Sequence, residues 1–322
     1  MDDTADILII GGGMAGLSAA TALADTGARI IVLDKGRGPG GRMAARRVEI
    51  GGEPIGFDHG AQYFTARDPA FREAVAEWEA AGVAARWPAA GTEAWVGTPG
   101  MNAPIRAMAE ALDVRWNTRA ERFMRSGAHW RVEAGEQAFT AATVLVAVPA
   151  EQAAVLLTDA APEMATRAAG VSSAPCWAVM AGFDARLDHT ADTFRSDSGP
   201  VSWAARNSAK PERSGVETWV IHASPQRSRE LIDLPKEEVA CILLDDFFAA
   251  TGTAPTMPRH LDAHRWLYAQ PEARKGEGPL FDPRLQIGIA GDWLHSPRVE
   301  GAWLSGRALA EAVLQERLAS TS

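Results

Sequence analysis

Residues 7–20, ILIIGGGMAGLSAA, limit what this chain can fold into more than any other stretch. The apolar run DILII at 6–10 is bounded by glycines, the pattern of a short strand buried on both faces. Gly11, Gly13 and Gly16 then satisfy G-x-G-x-x-G, and Met14 and Ala15 open an alanine-rich helical stretch. A second apolar run, RIIVL, ends at Asp34, 18 residues beyond Gly16, with Lys35 next to it. The first glycine makes a tight turn, the second lets backbone approach a pyrophosphate, and the third lets helix pack on strand. The pyrophosphate then rests on the positive end of a helix, and Asp34 accepts hydrogen bonds from the adenosine ribose. Strand before, helix after and an acid at the right distance predict a dinucleotide site. A carboxylate at position 34 disfavours a 2′-phosphate, so FAD or NAD fits better than NADP.

Charge and cysteine usage narrow the class of protein. The formal net charge is −9, which argues against a nucleic-acid surface. The basic runs RMAARR (42–47) and PEARKG (271–276) are short and read as solvated loops or strand ends. Cys176 and Cys241 are the only cysteines, so neither a disulfide framework nor a metal-binding spacing can be built from them, and a reducing compartment is expected. The opening MDDTAD is acidic and leads into a strand, unlike a signal peptide, and no apolar run approaches a membrane span. The expected location is the cytoplasm, with no membrane partner. Eleven tryptophans against two tyrosines suit core filling and the walls of a pocket for flat ligands.

Two further segments choose between the dinucleotides. DKGRGPGGRMAARR (34–47) places Gly41, Arg42 and Met43 in a glycine-rich loop behind the fingerprint, where backbone N–H groups and a guanidinium can meet a diphosphate from its other side. Near the far end, IAGDWLHSPRVEGAWLSG (289–306) reads as a buried strand, a lone carboxylate at Asp292, a loop and a glycine-marked helix start.

With these segments in order, the chain resembles the flavin-containing amine oxidase superfamily, and more narrowly the bacterial renalase-type proteins. FDHGAQYFTARDPAF (57–71), WVGTPGMNAPIRAM (95–108), SWAARNSAKP (202–211), TWVIHASP (218–225) and HRWLYAQP (264–271) carry the likeness across essentially the whole chain. The resemblance implies noncovalent FAD, since no cysteine stands between 242 and 322; His295 is a remote alternative attachment point. It implies that Asp292 bonds a ribityl hydroxyl and that the helix opening near Val299, Gly301 and Ala302 faces the flavin N1–C2=O edge, where reduced flavin carries negative charge. Gln62 and Ala120 belong to the same cofactor set, Ala120 beside the adenine. The pattern departs at Arg227, where family members carry tryptophan, which leaves the pocket entrance open.

The architecture implied is α/β. A discontinuous Rossmann-like FAD-binding domain (1–66, 99–164, 284–322) is expected to carry an inserted α+β substrate domain built on an antiparallel sheet (67–98, 165–283). VRWNTRAERF, HWRVEA and QAFTAA read as a meander, after which TVLVAVP is a separate strand rejoining the parallel sheet. KEEVACILLDDFFAATG reads as a helix among aromatic-rich strands.

No nucleophile elbow, zinc site or acid–base dyad is visible, and hydride transfer to flavin needs none. Expected pocket walls are Tyr63, Phe64, Thr65, Ala66 and Arg67 from one segment, Trp303 from another, and Trp203 and His222 from the substrate domain; His59 is a further candidate. None is assigned as an acid or base. By resemblance the activity is oxidation of misreduced (2- or 6-dihydro) NAD(P), a small-molecule dinucleotide, with O2 reduced to hydrogen peroxide, a metabolite-repair reaction. The alternatives are an amine oxidase taking a small amine, and a non-catalytic FAD-binding redox sensor.

Overall fold

Leu8 and Ile9 have no solvent exposure, and neither do Ile31 and Val32 of the next apolar run, so both runs need cover on two sides. A parallel sheet flanked by helices provides it. The computed structural model describes residues 3–188, 191–213, 215–272 and 278–321; most of the 271–276 basic run lies outside these residues. The fold is α/β, and its main sheet runs in the order Leu280–Asp282, Ile287–Ile289, Gln137–Val146, Asp3–Ile10, Ile30–Leu33, Asp113–Arg115. Ile10 pairs with Leu33 on one side and Val146 on the other, so three strands reach the same carboxyl-terminal edge. That edge is where open α/β sheets bind their ligands.

The meander differs from the sequence reading in two respects. VRWNTRAERF is split, with Asp113–Arg115 pairing in parallel with Ile30–Leu33 and only Arg122 and Phe123 entering the meander, and the third strand is longer than expected. Arg122–Ser126 and His129–Ala134 form its first two strands, but its third is the single strand Gln137–Val146. QAFTAA and TVLVAVP were expected to be separate. No Gly, Pro or Asn falls between them, so the strand continues, and it exchanges its meander neighbour at Ala141 for Ile287–Ile289 at Val144.

The helix Met14–Ala24 packs against the helix Val299–Thr321 on one face of this sheet. A Cβ on Gly306 would lie 2.1 Å from the Ala15 carbonyl oxygen, so a hydrogen at this position is what lets the two backbones touch. Ser18 Oγ donates to the Trp303 carbonyl at 2.8 Å across the same contact.

A second, antiparallel sheet runs Thr193–Arg195, Val201–Arg206, Glu217–Ala223, Ser173–Phe183, His260–Pro271. Alternation along its strands divides the residues between two faces. Val179, Ala181, Trp219 and Ile221 meet Val239, Leu243 and Phe247 of the helix Lys236–Thr251. Met180 and Val220 point the other way, onto Ile50, Ile55 and Phe57 of the hairpin Arg46–Ile50/Glu53–Phe57. A small third sheet, Phe64–Thr65, Ala94–Gly97, Ala84–Arg86, carries the helix Pro69–Ala80, whose N-terminus is capped by Asp68 Oδ1 accepting from Ala70 and Phe71. No helix among the described residues is long and apolar enough to cross a membrane.

Candidate functional site

The fingerprint turn is built by crowding. Gly11 has φ of +109°, and a Cβ there would stand 2.4 Å from the Ala147 oxygen; one on Gly16 would stand 1.8 Å from the Gly11 oxygen. Gly13 is the contrast, because its missing side chain faces open space with nothing within 4 Å. This is the opening a pyrophosphate needs, directly before the first turn of Met14–Ala24. Asp34 fixes the turn through short bonds, accepting from Gly12 N–H through Oδ2 and Gly36 N–H through Oδ1, each at 2.6 Å. A Gly13→Val variant is expected to fold as the parent does, within about 0.5 kcal/mol in urea, because its φ of −85° and ψ of −174° suit a β-branched residue. FAD titration of the apoprotein should show no binding in that variant, and full binding there would refute the cradle.

Gly13 opens into a cavity of about 1830 Å³ whose lining includes Ile10, Leu33, Asp34, Ala120 and, from the distant end of the chain, Asp292, Val299 and Ala302. The volume exceeds the roughly 300–1000 Å³ of a single small-molecule site, so it has room for a dinucleotide and a second large ligand. The sign of its lining is also unlike the rest of the protein. Eleven Lys and Arg side chains face it against four carboxylates, in a chain of 32 basic and 41 acidic residues.

Two of those charges are locked together. Arg42 grips Asp292 with both terminal nitrogens at 2.6 and 2.7 Å, which bolts the glycine-rich loop to the C-terminal segment 250 residues away. Asp292 is buried and Arg42 is partly exposed. Sequence reasoning gave these side chains separate partners on the cofactor; in the structure each is the other's partner.

The segment 59–63 forms a wall of the cavity, and a charged cluster lies behind it. Asp58 is almost completely buried, with Oδ2 accepting from Lys210 Nζ at 3.1 Å and Arg213 Nη2 at 2.7 Å, and Oδ1 accepting from Met101 N–H at 2.8 Å. Burial alone would push its pKa up, but Lys210 and Arg213 outweigh burial and hold it below the usual carboxylate range. Lys210, fully buried, is brought down to about 8 by desolvation despite Asp58. Lys210 also donates to Gln62 Oε1 at 3.1 Å, which turns the Gln62 amide nitrogen toward the Gly60 carbonyl at 3.0 Å and toward His222 Nε2 at 3.5 Å. Sequence reasoning missed Lys210 and Asp58. Nothing local marks a lysine in SWAARNSAKP as buried, because its partner lies 152 residues away.

His222 faces the cavity with His264, Trp266 and His59. His59 stacks on Trp266 with ring centres 5.2 Å apart and meets His264 edge-on at 4.9 Å. Burial, then neighbouring cationic groups, lowers His59 to about 3; burial lowers His264 and His222 to about 4 each. The wall is therefore aromatic and uncharged at neutral pH.

The structure gathers most of the sequence candidates around this one cavity. Gly11, Gly13, Met14, Ala15 and Lys35 line it, as do Gly41, Arg42 and Met43 of the loop. Tyr63, Phe64, Thr65 and Arg67 line it from the wall segment. Six candidates lie off its surface. Gly16 is pressed against Gly11 and Gly301 against Ser296, as their spacing duties require. Gln62 is tucked behind the wall on Lys210, and Ala66 is in the core. Trp303 packs in the core with its ring 5.4 Å from Phe71. Trp203 sits behind Tyr63 at 5.3 Å, covered by Arg195. For both tryptophans the face of the element, invisible in a local window, decides. Arg227 also faces elsewhere, pairing with Asp246 at 2.9 Å and Glu230 at 3.2 Å beside a separate surface depression.

Comparison with known proteins agrees with this geometry. Residues 9–78 match the NAD(P)-binding Rossmann-like domain, and residues 88–314 match the flavin containing amine oxidoreductase family. Among solved structures, a candidate protoporphyrinogen oxidase from Exiguobacterium sp. 255-15 superposes with a TM-score of 0.77 at 13% identity, covering 98% of this chain and 99% of that one. A putrescine oxidase with redesigned cofactor binding gives 0.72 at 15% identity, covering 98% and 100%. Cyclohexylamine oxidase from Brevibacterium oxydans IH-35A gives 0.65 at 13%, covering 98% and 99%. At these identities the likeness is one of fold. The open cradle at Gly13, the cavity that joins both ends of the chain and the family match agree on FAD as cofactor, and the chain belongs to the flavin-containing amine oxidoreductase family.

Proposed function

We propose that this oxidoreductase takes hydride from misreduced NAD(P), the 2- or 6-dihydro isomers, and returns it to NAD(P)+. FAD, when bound, would supply a two-electron acceptor at N5 and the route by which those electrons, with protons, reduce O2 to hydrogen peroxide. Segments 1–66, 99–164 and 284–322 hold the cofactor in this reading, and 67–98 and 165–283 shape the substrate side.

The observation that carries the reading is the sign of the cavity. A lining with eleven cationic side chains against four carboxylates favours a polyanionic ligand and opposes a protonated amine. One of those four carboxylates, Asp292, is already neutralised by Arg42. The uncharged wall of His59, Trp266, His264 and His222 offers flat surface to a nicotinamide ring, and Tyr63 and Phe64 extend it. Hydride transfer asks the protein for position, with the donor carbon about 3–3.5 Å from the acceptor, and for exclusion of water. It requires no proton carrier, which suits histidines held neutral.

Anaerobic mixing tests the reading. Addition of 6-dihydro-NAD to the FAD-loaded protein should bleach the oxidised flavin spectrum and release NAD+. Bleaching by putrescine or another small amine instead would favour amine oxidation, and bleaching by neither would remove the enzymatic reading.

A further inference from the structure

We infer that Arg67 and Arg298 form a second phosphate subsite, separate from the cofactor's, that holds the diphosphate of the substrate. The inference rests on the dinucleotide substrate proposed above. Both side chains line the cavity, and both are exposed within it. Glu300, two residues beyond Arg298, ties their backbones into one neighbourhood: its buried Oε1 accepts from Arg67 N–H at 2.6 Å and Asp68 N–H at 2.7 Å. Arg298 immediately precedes the helix Val299–Thr321, and its carbonyl accepts from Ala302 N–H at 3.0 Å.

The carboxylates beside these arginines in sequence are already engaged. Asp68 caps the helix Pro69–Ala80, and the Glu300 oxygen is occupied by two backbone donors. Elsewhere on the same lining Arg42 is paired with Asp292 and Arg46 with Asp262. Neither Arg67 nor Arg298 has such a partner among the described residues, so two planar five-donor forks face the cavity. Guanidinium pairs of this kind bind phosphate oxygens in bidentate fashion. The cofactor's own diphosphate has its place at Gly13 and the N-terminus of Met14–Ala24, which leaves this second set for the other ligand.

The test uses the FAD-loaded protein and three reductants with the same 6-dihydronicotinamide ring: the riboside, the mononucleotide and the dinucleotide. In the wild type, kcat/KM for anaerobic flavin reduction should rise by about tenfold or more from riboside to dinucleotide, because remote phosphate contacts contribute to transition-state binding. In the Arg67→Gln/Arg298→Gln double variant the advantage should shrink to about twofold, with Arg298→Lys intermediate because it keeps charge but loses the fork. Inorganic pyrophosphate should compete with the dinucleotide but not with the riboside in the wild type, and lose that effect in the double variant. A gradient that survives in the double variant, or a flat one in a wild type that oxidises all three, overturns the subsite alone. A wild type reduced by none of the three overturns the substrate reading and the subsite with it.

Discussion

Replacing Asp58 by alanine is expected to cost about 3–5 kcal/mol of folding stability, the usual cost of leaving buried charge unpaired. Lys210 and Arg213 both rest on its Oδ2 with almost no exposure, and no other carboxylate is paired with them among the described residues. The Met101 amide loses its acceptor as well. Lys210→Met should cost less, since Asp58 keeps Arg213, and the double variant Asp58→Ala/Lys210→Met should recover part of the loss. Urea unfolding of the three variants measures this order. A cost below about 1 kcal/mol for Asp58→Ala would mean that water reaches the cluster and that the wall in front of it is not packed as described.

The second large effect is acid instability that begins well above the carboxylate range. His59, His222 and His264 have folded pKa values of about 3, about 4 and about 4, all below the 6.5 of an unfolded histidine. A base whose folded pKa is depressed contributes its stability above the unfolded pKa and loses it as pH falls toward the folded one. Between pH 6.5 and about 4 the unfolded chain therefore binds up to three more protons than the native state. That amounts to about 3 kcal/mol per pH unit once the share of the partly exposed His264 is discounted for solvent screening. At that slope about 5 kcal/mol, the low end of the typical range, is lost by about pH 5 and about 7 kcal/mol by pH 4, so the unfolding midpoint should lie between about pH 5 and pH 4. Tryptophan fluorescence during acid titration follows it, and His264→Gln should flatten the slope by less than a third, because His264 is partly exposed. A urea midpoint that does not change from pH 7 to pH 4.5 would contradict the neutral wall.

How much of this could be read from the sequence depends on how far apart the interacting groups lie. The fingerprint was legible because every requirement of its turn falls between Ile7 and Asp34, and the structure adds only the atoms that forbid a Cβ at Gly11 and Gly16. The antiparallel sheet was legible as aromatic-rich alternation in TWVIHASP and AHRWLYA. What escaped were properties of pairs: Asp58 with Lys210, Arg42 with Asp292, and the face on which Trp203 and Trp303 point. No local window contains both members of such a pair. The sign of the cavity escaped for the same reason, since its arginines come from loops and strand ends scattered along the chain while the overall charge is negative.

The contact between Gly306 and Ala15 bears on how the protein is made. On the ribosome the fingerprint helix emerges long before the helix it docks on, since the Ser18–Trp303 contact between them spans 285 residues. Until the helix Val299–Thr321 has emerged, its share of the cover over Leu17, Leu23 and the alanines of Met14–Ala24 is missing, and Arg42 waits for Asp292. Flavin capture that needs both segments therefore waits for the second of them. A nascent chain stalled before residue 300 would present an apolar, half-assembled cradle to chaperones rather than to its cofactor.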